Sequence, residues 1–435
     1  MKKLKNIFLG KKILIYGLGS SGISTYKFLK KKADVYLFDD NPKINFKIKQ
    51  KIGIKEVEQT KFDRIIVSPG IDLSQCKLSN FLSKNFLKIS TDLDIFYEFF
   101  KNDCITITGT NGKSTTCQLL YQVLKNQYLD VKLVGNIGKP ILSIKNVKKK
   151  TIFVIEASSY QLDYSKNFRS KYAVILNISP DHIERHKTLK KYIQAKFKLL
   201  KNQKRGSLAF VKKEDTFINI ELKRNNFKGK IIKINTSRPD SFLENIKNRY
   251  FMSETNKQNL LFVKEICKFF SVKKKVIVKT INNFKGLKYR QQIIYKKDNL
   301  TIINDSKSTS FSSSIGILKE NSNIYWILGG MHKSGDQFKL PKKYFSNIRA
   351  FIYGKNKNFF IKKLKKKIKY KNFVNLKQAV KRVFEIVKKN KIKKQTIIFS
   401  PCAASFDSFK NFEDRGQYFD KLIKDQLYGK YKIIL

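Results

Sequence analysis

The chain has 435 residues, of which 41% are hydrophobic and 13% aromatic. It therefore holds enough apolar material for several buried cores, which excludes a largely disordered protein. Lys and Arg number 92 against 33 Asp and Glu, a formal net charge of +59. The 5 Cys residues are scattered and form no CxxC pair, which argues against a disulfide scaffold and a zinc module.

The positive charge is spread along the whole chain as lysine and is not gathered in one patch. Ile, Asn, Phe and Tyr are also abundant, a composition that A/T-rich codons produce, so we interpret the excess as compositional drift. The alternative is a basic nucleic-acid-binding protein, for which clustered cations would be typical. We expect no specific nucleic-acid partner, although the charge attracts anionic small substrates.

The N-terminus begins with basic residues, but Lys11 and Lys12 interrupt the apolar stretch that follows, and no secretory cleavage site is recognisable. The sequence contains no run of about 18 apolar residues that could span a bilayer. We therefore expect a cytoplasmic protein without membrane insertion.

The first segment predicts a strand over 12–16, a Gly-x-Gly-x-x-Gly turn over 17–22 and a strand over 34–38 that ends in acidic residues. Such glycines let a diphosphate approach, and the acid can bind a ribose or a base edge. On its own this pattern also fits an NAD(P) enzyme. A later strand over 64–67 runs into Ser-Pro-Gly at 68–70. The alternation predicts a parallel sheet with sites at the strands' carboxyl ends.

The strongest motif follows a strand over 104–108: the loop Gly109-Thr-Asn-Gly-Lys113-Ser114-Thr115, then a helix to about residue 126. Its glycines let backbone N–H groups close around phosphate oxygens at a helix N-terminus. Lys113 would neutralise the β- and γ-phosphates, and the Ser114 hydroxyl would reach Mg²⁺. The loop predicts nucleotide binding. An NAD(P) enzyme would leave this phosphate loop unexplained.

Two further strands of this segment end in candidate metal ligands. The strand over 151–155 ends at Glu156, where a carboxylate can hold a nucleotide-bound metal. The strand over 172–176 leads to Asp181 and His182, and this histidine is either a ligand or a capping or core residue.

The rest of the chain continues the alternation of strands and helices. Helical patterns cover about 188–203 and 257–270, and Gly286 marks the expected boundary between the second and third segments. The predicted strands beyond it lie near 291–304, 324–328, 350–353 and 396–399.

Together these motifs resemble the Mur ligases, the ATP-dependent amide-forming enzymes of peptidoglycan precursor synthesis. The resemblance covers essentially the whole chain. The motifs, in chain order, are Gly17 to Gly22, Ser68-Pro-Gly70, Gly109 to Thr115, Gly135-Asn136-Ile-Gly138, Glu156-Ala-Ser-Ser-Tyr-Gln161, Asp181-His182 with Lys196, Gly286-Leu-Lys-Tyr-Arg290, Asn304-Asp305-Ser306-Lys307-Ser-Thr309, Gly329-Gly330-Met-His-Lys333, and Ser400-Pro401 through Ser405 to Phe412-Glu-Asp-Arg415-Gly416. The phosphate loop alone also fits folate polyglutamate synthase, whereas the elements at 304–307 and 400–412 favour the D-glutamate-adding branch.

The resemblance implies three α/β domains. They are a Rossmann-like UDP-binding domain over 1–91, a central P-loop ATPase domain with a mostly parallel sheet over 92–286, and a C-terminal Rossmann-like domain over 287–435 that closes on ATP and binds glutamate. The implied reaction joins D-glutamate to UDP-N-acetylmuramoyl-L-alanine through an acyl phosphate, with ATP converted to ADP and phosphate. A monomer is the family expectation. The alternatives are the same scaffold acting on L-glutamate, or a folate polyglutamate synthase-like ligase.

The resemblance also implies the roles of individual residues. Catalysis would involve Lys113, Asn136, His182 and Lys196, the last as a carbamate. Two Mg²⁺ sites would be formed by Ser114, Glu156, His182 and the carbamylated Lys196. ATP would be held by Gly109, Thr110, Asn111, Gly112, Lys113, Ser114, Thr115, Asn256, Asn259, Arg290, Asp305 and Lys307. The other substrates would meet Ser20, Ser21, Asp39, Asp40, Asn41, Ser68, Pro69, Gly70, Asn136, Ser158, Gln161, Thr309, Lys333, Ser405 and Phe412.

The sequence departs from the family pattern at a few positions. Tyr289 stands where a His usually precedes the Arg, and Ser310 stands where Asn often follows the Thr. Neither change removes an implied phosphate or metal ligand.

Overall fold

The computed structural model describes residues 7–42, 50–332, 336–390 and 394–429. They form two compact units. The first contains the described parts of 1–179, 185–246 and 258–282, and the second contains 180–184, 247–257 and the described parts of 283–435. Three sheets follow one another along the chain, two in the first unit and one in the second.

The N-terminal segment alternates strands with helices. Its elements are β1 (Lys12–Tyr16), α1 (Ser20–Leu29), β2 (Asp34–Phe38), α2 (Ile54–Gln59), β3 (Arg64–Val67), α3 (Ser79–Lys84), β4 (Ile89–Ser90) and α4 (Asp92–Phe99). Over the described ranges the strands form a 4-stranded parallel sheet in the order β2-β1-β3-β4. Because β1 lies between β2 and β3, the glycine turn that follows it meets the ends of both neighbours at the carboxyl edge.

The central segment has the same alternation. Its elements are β5 (Cys104–Thr108), α5 (Lys113–Asn126), β6 (Val131–Gly135), β7 (Ile152–Glu156), α6 (Ser159–Tyr164), β8 (Tyr172–Ile175), α7 (Ile183–His186), α8 (Leu189–Lys201), β9 (Leu208–Lys212), α9 (Thr216–Arg224), β10 (Lys230–Ile234), α10 (Ser241–Glu244), α11 (Glu254–Lys268) and α12 (Lys274–Asn282). The described strands form a 6-stranded parallel sheet in the order β10-β9-β8-β5-β7-β6. Both β5 and β7 are fully buried, and the residues that follow them share one edge of the sheet.

The first two sheets share a hydrophobic core. Phe96 of α4 meets Phe153 of β7 edge-on, with ring centroids 4.9 Å apart. Ile13 and Ile15 of β1 belong to the same cluster. Burial of this apolar surface stabilises the contact between the two segments.

The C-terminal segment forms the third sheet. Its elements are β11 (Gln292–Lys297), β12 (Leu300–Asn304), α13 (Phe311–Glu320), β13 (Ile324–Gly329), β14 (Ile348–Tyr353), α14 (Lys357–Leu364), β15 (Lys369–Phe373), α15 (Leu376–Lys389), β16 (Gln395–Phe399) and α16 (Phe412–Tyr428). In the described part of the chain the order is β11-β12-β16-β13-β14-β15, parallel except for the antiparallel pair β11–β12. Trp326 and Tyr325 of β13 enter separate cores, because successive side chains of a doubly covered strand face opposite ways.

The predicted α/β fold with mostly parallel sheets is confirmed. The strand-like region near 291–304 is an antiparallel hairpin, in which Asp298 takes a positive φ of 51° at the turn. Short 3₁₀ helices lie at Phe86–Lys88, Ile141–Ser143, Arg249–Phe251 and Lys342–Asn347. Of the helices that the structure describes, none combines the length and the apolar character needed to cross a membrane.

Candidate active site

The phosphate loop connects the buried strand β5 to α5. Gly109 and Gly112 have positive φ values of 144° and 85°, a conformation that glycine adopts without strain. The loop is fixed by Asn177, whose backbone oxygen accepts from Thr110 N at 3.0 Å and whose side-chain oxygen accepts from Asn111 N at 2.9 Å. The backbone of the loop is thus held at the N-terminus of α5, where an anion is favoured.

Two lysines converge on this loop. Lys113 Nζ donates to the backbone oxygens of Gly109 at 2.9 Å and of Thr110 at 2.8 Å. Lys196, which is only 2% exposed, donates from Nζ to the same oxygen of Gly109 at 2.8 Å. Its ammonium also lies 4.5 Å from the ring centroid of Tyr192. The sequence-predicted pair is therefore brought together at one carbonyl group.

Glu156 ends β7 beside the phosphate loop, in register with Ile107 of β5. Its side chain is 1% exposed, and Oε1 accepts from Asn136 Nδ2 at 2.7 Å. Glu156 Oε2 is buried and has no hydrogen-bond partner among the described residues. A buried carboxylate oxygen without a donor is costly unless a cation or another donor meets it, so this residue fits a Mg²⁺ ligand.

Asn259 and Asn256, predicted together for the nucleotide, have different surroundings. Asn259 is buried beside the phosphate loop, so close that a Cβ on Gly112 would lie 2.4 Å from its Oδ1. Asn259 Nδ2 has no hydrogen-bond partner in the described part of the chain. Asn256 instead donates from Nδ2 to the backbone oxygen of Tyr250 at 2.7 Å. In this structure Asn256 therefore supports a local turn.

His182 adopts a positive φ of 55° between two carboxylates. Its Nε2 lies 3.4 Å from Asp181 Oδ2, and its Nδ1 lies 3.5 Å from Glu184 Oε1. Among the described residues, no three His, Cys, Asp or Glu side chains form a cluster that could hold a metal ion.

The acidic residues after β2 shape the first segment's glycine turn. Asp39 accepts from Leu18 N at 2.5 Å and from Asn41 N at 2.9 Å. Asp40 accepts from the Tyr16 hydroxyl at 2.6 Å. Ser20 opens α1 as an exposed residue on this turn. The predicted uridine-binding carboxylates are thus engaged in organising the carboxyl edge of the sheet.

The Ser-Pro-Gly element at 68–70 packs against the same turn. Ser68 Oγ donates to the backbone oxygen of Gly17 at 2.6 Å. A Cβ on Gly17 would lie 2.8 Å from that of Ser68, so the approach requires glycine. Pro69 and Gly70 turn their carbonyl groups to the guanidinium of Arg185.

Asp92 joins two predicted substrate residues. It accepts from Ser21 Oγ at 2.5 Å and from Gln161 Nε2 at 3.5 Å. Burial raises the pKa of Asp92, because the charged form loses its hydration. Ser158 caps α6 and accepts from Gln161 N at 3.2 Å, which fixes the other side of this group.

In the second unit, two cationic side chains lie near the ring of Phe412. Lys307 Nζ lies 3.9 Å from the ring centroid of Phe412, and the Arg290 guanidinium carbon lies 5.9 Å from it. Tyr289 packs on Gly416, where a Cβ would lie 2.4 Å from the tyrosine ring. The departure from His at 289 is therefore accommodated by a glycine.

Asp305 is held inside this unit by two donors. Gln291 N donates to its Oδ1 at 3.1 Å, and Ser400 Oγ donates to its Oδ2 at 2.8 Å. Burial raises the pKa of Asp305 to about 7, against the opposing effect of these hydrogen bonds. Ser405 is buried and Thr309 half-buried in the same unit, whereas Lys333 lies outside the described residues.

Sequence reasoning missed two residues that organise the site, Asp92 and Arg185. No motif marks Asp92, whose partners Ser21 and Gln161 lie 71 and 69 residues away along the chain. Arg185 stands in Asp-His-Ile-Glu-Arg-His, and its proximity to His182 was a signal that could have drawn attention to it.

Two family models match long parts of the chain. Residues 107–281 match the Mur ligase middle domain, and residues 11–89 match the Mur ligase MurD-like, N-terminal domain. The chain is 32% identical to the UDP-N-acetylmuramoylalanine--D-glutamate ligase of Rickettsia bellii, over 94% of this chain and 96% of the relative. The chain belongs to the Mur ligase family. It is 35% identical to the ligase of the same name from Buchnera aphidicola subsp. Schizaphis graminum, over 96% and 99% of the two chains.

Solved Mur ligases share the fold at low sequence identity. The MurF ligase of Thermotoga maritima in complex with ADP is 14% identical, with a TM-score of 0.59 over 97% of each chain. A pseudomurein peptide ligase type C from Methanothermus fervidus is 18% identical, with a TM-score of 0.56 over 96% of this chain and 100% of the other. The Mur ligase fold thus extends over nearly the whole chain.

Proposed function

We propose that this Mur ligase joins D-glutamate to UDP-N-acetylmuramoyl-L-alanine in the cytoplasm, as a monomer, with conversion of ATP to ADP and phosphate. The observation that carries the proposal is the similarity, over nearly the full chain, to relatives named for this reaction. The phosphate loop and the buried Glu156 beside it support the nucleotide chemistry.

We assign the three segments separate tasks. Residues 1–91 would bind the UDP part of the substrate, 92–286 would bind ATP, and 287–435 would close on ATP and bind glutamate. The positions of the three sheets support these boundaries, since each sheet falls within one segment. In the first segment the uridine and diphosphate would meet the carboxyl edge of the sheet, which carries Ser20, Ser21, Asp39, Asp40, Asn41 and the turn 68–70.

The reaction begins at the phosphate loop. The alanyl carboxylate oxygen attacks the γ-phosphorus, the bond from that phosphorus to the β,γ-bridging oxygen breaks, and ADP leaves. Lys113 would release its loop carbonyls and move to the phosphate, where its charge stabilises the transferring group. Asn136, held by Glu156, would orient the acyl phosphate.

The amide forms in the second step. The glutamate nitrogen attacks the acyl carbon and loses a proton, and the carbon–oxygen bond to phosphate breaks. The glutamate carboxylates would be held by Lys333, Thr309 and Ser405 beside Phe412, because acidic groups require cations and hydroxyls. Arg290, Asp305, Lys307, Asn256 and Asn259 would contribute to the nucleotide site, with water excluded on closure.

Mg²⁺ fits the residues present, because Glu156 carries a buried oxygen that meets no donor in the described part of the chain. Ser114 and Glu156 would hold the first ion, and His182 with a carbamylated Lys196 would hold the second. When bound, the ions offset charge on the phosphates. A lysine ammonium cannot bind Mg²⁺, whereas its carbamate offers two anionic oxygens.

The test is phosphate release from ATP and Mg²⁺ with UDP-N-acetylmuramoyl-L-alanine, comparing D-glutamate, L-glutamate and no amino acid. We expect release that requires the nucleotide sugar and D-glutamate, with a product of the matching mass. Dependence on L-glutamate would change the substrate and keep the scaffold. Release with a folate and L-glutamate, and not with the nucleotide sugar, would refute the proposal in favour of the folate ligase.

A further inference from the structure

Arg185 lies at the point where the first segment's Ser-Pro-Gly turn meets the central segment. Its side chain is 12% exposed. Arg185 Nη1 donates to the oxygen of Gly70 at 3.2 Å, and Nη2 donates to the oxygens of Pro69, at 3.2 Å, and Ile71. One guanidinium therefore binds three consecutive backbone carbonyls, a pattern that requires several donors in a fixed plane.

The other contacts of Arg185 anchor it to both segments. Nε lies 3.7 Å from Asp72 Oδ2 at the end of the same turn. Its guanidinium carbon lies 4.6 Å from the ring centroid of Tyr160 and 5.8 Å from that of Tyr164, both on α6. α6 also carries Gln161, which reaches Asp92. The guanidinium is thus held between the turn and the helix that carries a proposed substrate residue.

Hydrogen bonds from within the first segment and from Arg185 hold the turn at 68–71. Within the first segment, Ser68 Oγ donates to the oxygen of Gly17 at 2.6 Å and Ile71 N donates to the oxygen of Ser68 at 3.0 Å, whereas Arg185 donates to the carbonyl groups of 69–71 from the central segment. A lysine at 185 could reach one or two of the carbonyls from a flexible stem, and it could not present the same planar set of donors.

We propose that Arg185 is a positioning residue for the UDP-substrate, which holds the turn 68–72 in its binding conformation from the central segment. This inference rests on the proposed function, because the turn is assigned there to the UDP part of the substrate. Arg185 touches backbone and not reacting atoms, so its loss weakens substrate binding and leaves the chemical step and ATP binding largely intact.

The experiment compares Arg185→Ala and Arg185→Lys with Arg205→Ala, which removes the same charge from an exposed position in the same unit. Steady-state phosphate release with D-glutamate gives KM for each substrate and kcat. We expect KM for UDP-N-acetylmuramoyl-L-alanine to rise about 10- to 100-fold in Arg185→Ala, with Arg185→Lys between it and wild type. KM for ATP and kcat should change less than about threefold, and Arg205→Ala should match wild type.

Two measurements separate this inference from the proposed function. Calorimetric binding of UDP-N-acetylmuramoyl-L-alanine needs no turnover, so weaker binding in Arg185→Ala alone supports the inference even if D-glutamate is not the acceptor. Hydrogen exchange of the amides in 68–72 should be faster in Arg185→Ala and unchanged in Arg205→Ala. Equal KM and equal binding in the two alanine variants would overturn the inference, and so would a loss of kcat with KM unchanged. If Arg185→Ala does not fold, the same criteria apply to Arg185→Lys.

Discussion

Lys113 and Lys196 donate to the same backbone oxygen, that of Gly109, at 2.9 and 2.8 Å. Two ammonium groups that share one acceptor repel each other, and burial of Lys196 strengthens this repulsion by excluding water. Conversion of Lys196 to a carbamate would replace the repulsion by attraction to Lys113. The geometry therefore gives a physical reason for the proposed modification.

The carbamate predicts that activity depends on dissolved CO₂. Protein kept in CO₂-depleted buffer should lose phosphate release, and bicarbonate should restore it, because carbamates form reversibly on a neutral amine. Native mass spectrometry should detect one added CO₂ on wild type and none on Lys196→Ala. Lys190→Ala, an exposed lysine on the same helix, is the control and should keep the adduct. Activity that is independent of bicarbonate would contradict the prediction.

Replacement of Lys113 should abolish turnover. We expect Lys113→Ala to reduce kcat by at least about 10²- to 10³-fold, because the transferring phosphate loses a positioned cation. Lys125→Ala, an exposed lysine in the last turn of the same helix, should keep wild-type kcat. Binding of UDP-N-acetylmuramoyl-L-alanine, measured by calorimetry, should be equal in both variants. A Lys113→Ala enzyme with near-normal kcat would exclude this loop from phosphoryl transfer.

Glu156→Gln tests the metal assignment. The glutamine can still accept from Asn136 through Oε1, whereas its amide nitrogen cannot ligate Mg²⁺. We expect the Mg²⁺ concentration for half-maximal phosphate release to rise about tenfold or more. Each factor of ten corresponds to a loss of ~1.4 kcal/mol in the binding free energy of Mg²⁺. Asp130→Asn is the control, because it alters a carboxylate that accepts a hydrogen bond from the Thr151 hydroxyl. This variant should leave the Mg²⁺ titration unchanged. An unchanged titration in Glu156→Gln would remove Glu156 from the metal site.

The raised pKa of Asp305 predicts a pH dependence of stability in the second unit. Its pKa is about 7 in the folded chain against a usual value of 3.8, so the folded state binds the proton more tightly. Stability should therefore fall as pH rises from about 4 to 7, by at most about 4 kcal/mol, and Asp305→Asn should abolish this slope. Urea unfolding followed by Trp326, the only tryptophan and a residue of this unit, measures it. Parallel pH profiles for wild type and Asp305→Asn would refute the assignment.

Asp94 should be among the most sensitive positions for stability. Its Oδ1 accepts from Ser165 Oγ at 2.8 Å and from the backbone N of Lys166, Asn167 and Phe168 at 3.0, 2.7 and 2.9 Å. Asp94→Ala leaves these buried donors unpaired, so we expect a loss of about 3 kcal/mol or more in the free energy of unfolding. Far-UV circular dichroism during urea unfolding measures this loss. Glu58→Ala, which removes an exposed acid, should cost less than about 0.5 kcal/mol; a similar small cost for Asp94→Ala would contradict the prediction.

The predicted strands that proved correct are buried and apolar, such as β5 and β7. The strands that received no prediction include β10, whose exposed lysines leave no clear apolar pattern. β10 lies at an edge of its sheet, and a strand at an edge is paired on one side only, so its sequence is less constrained by the core. The apolar pattern in the sequence is therefore strongest for a central strand, which is paired on both sides and packed on both faces.

The sequence by itself determined the phosphate loop, because glycines, the lysine and the helix start are contiguous and act through local backbone geometry. It also determined the order of the motifs along three α/β segments. Only the tertiary structure decided that Lys196 shares an acceptor with Lys113, that Asp92 joins Ser21 to Gln161, and that Arg185 binds the turn at 69–71. These contacts join residues far apart in the chain, and such pairings depend on how the folded segments meet, which local sequence patterns do not specify.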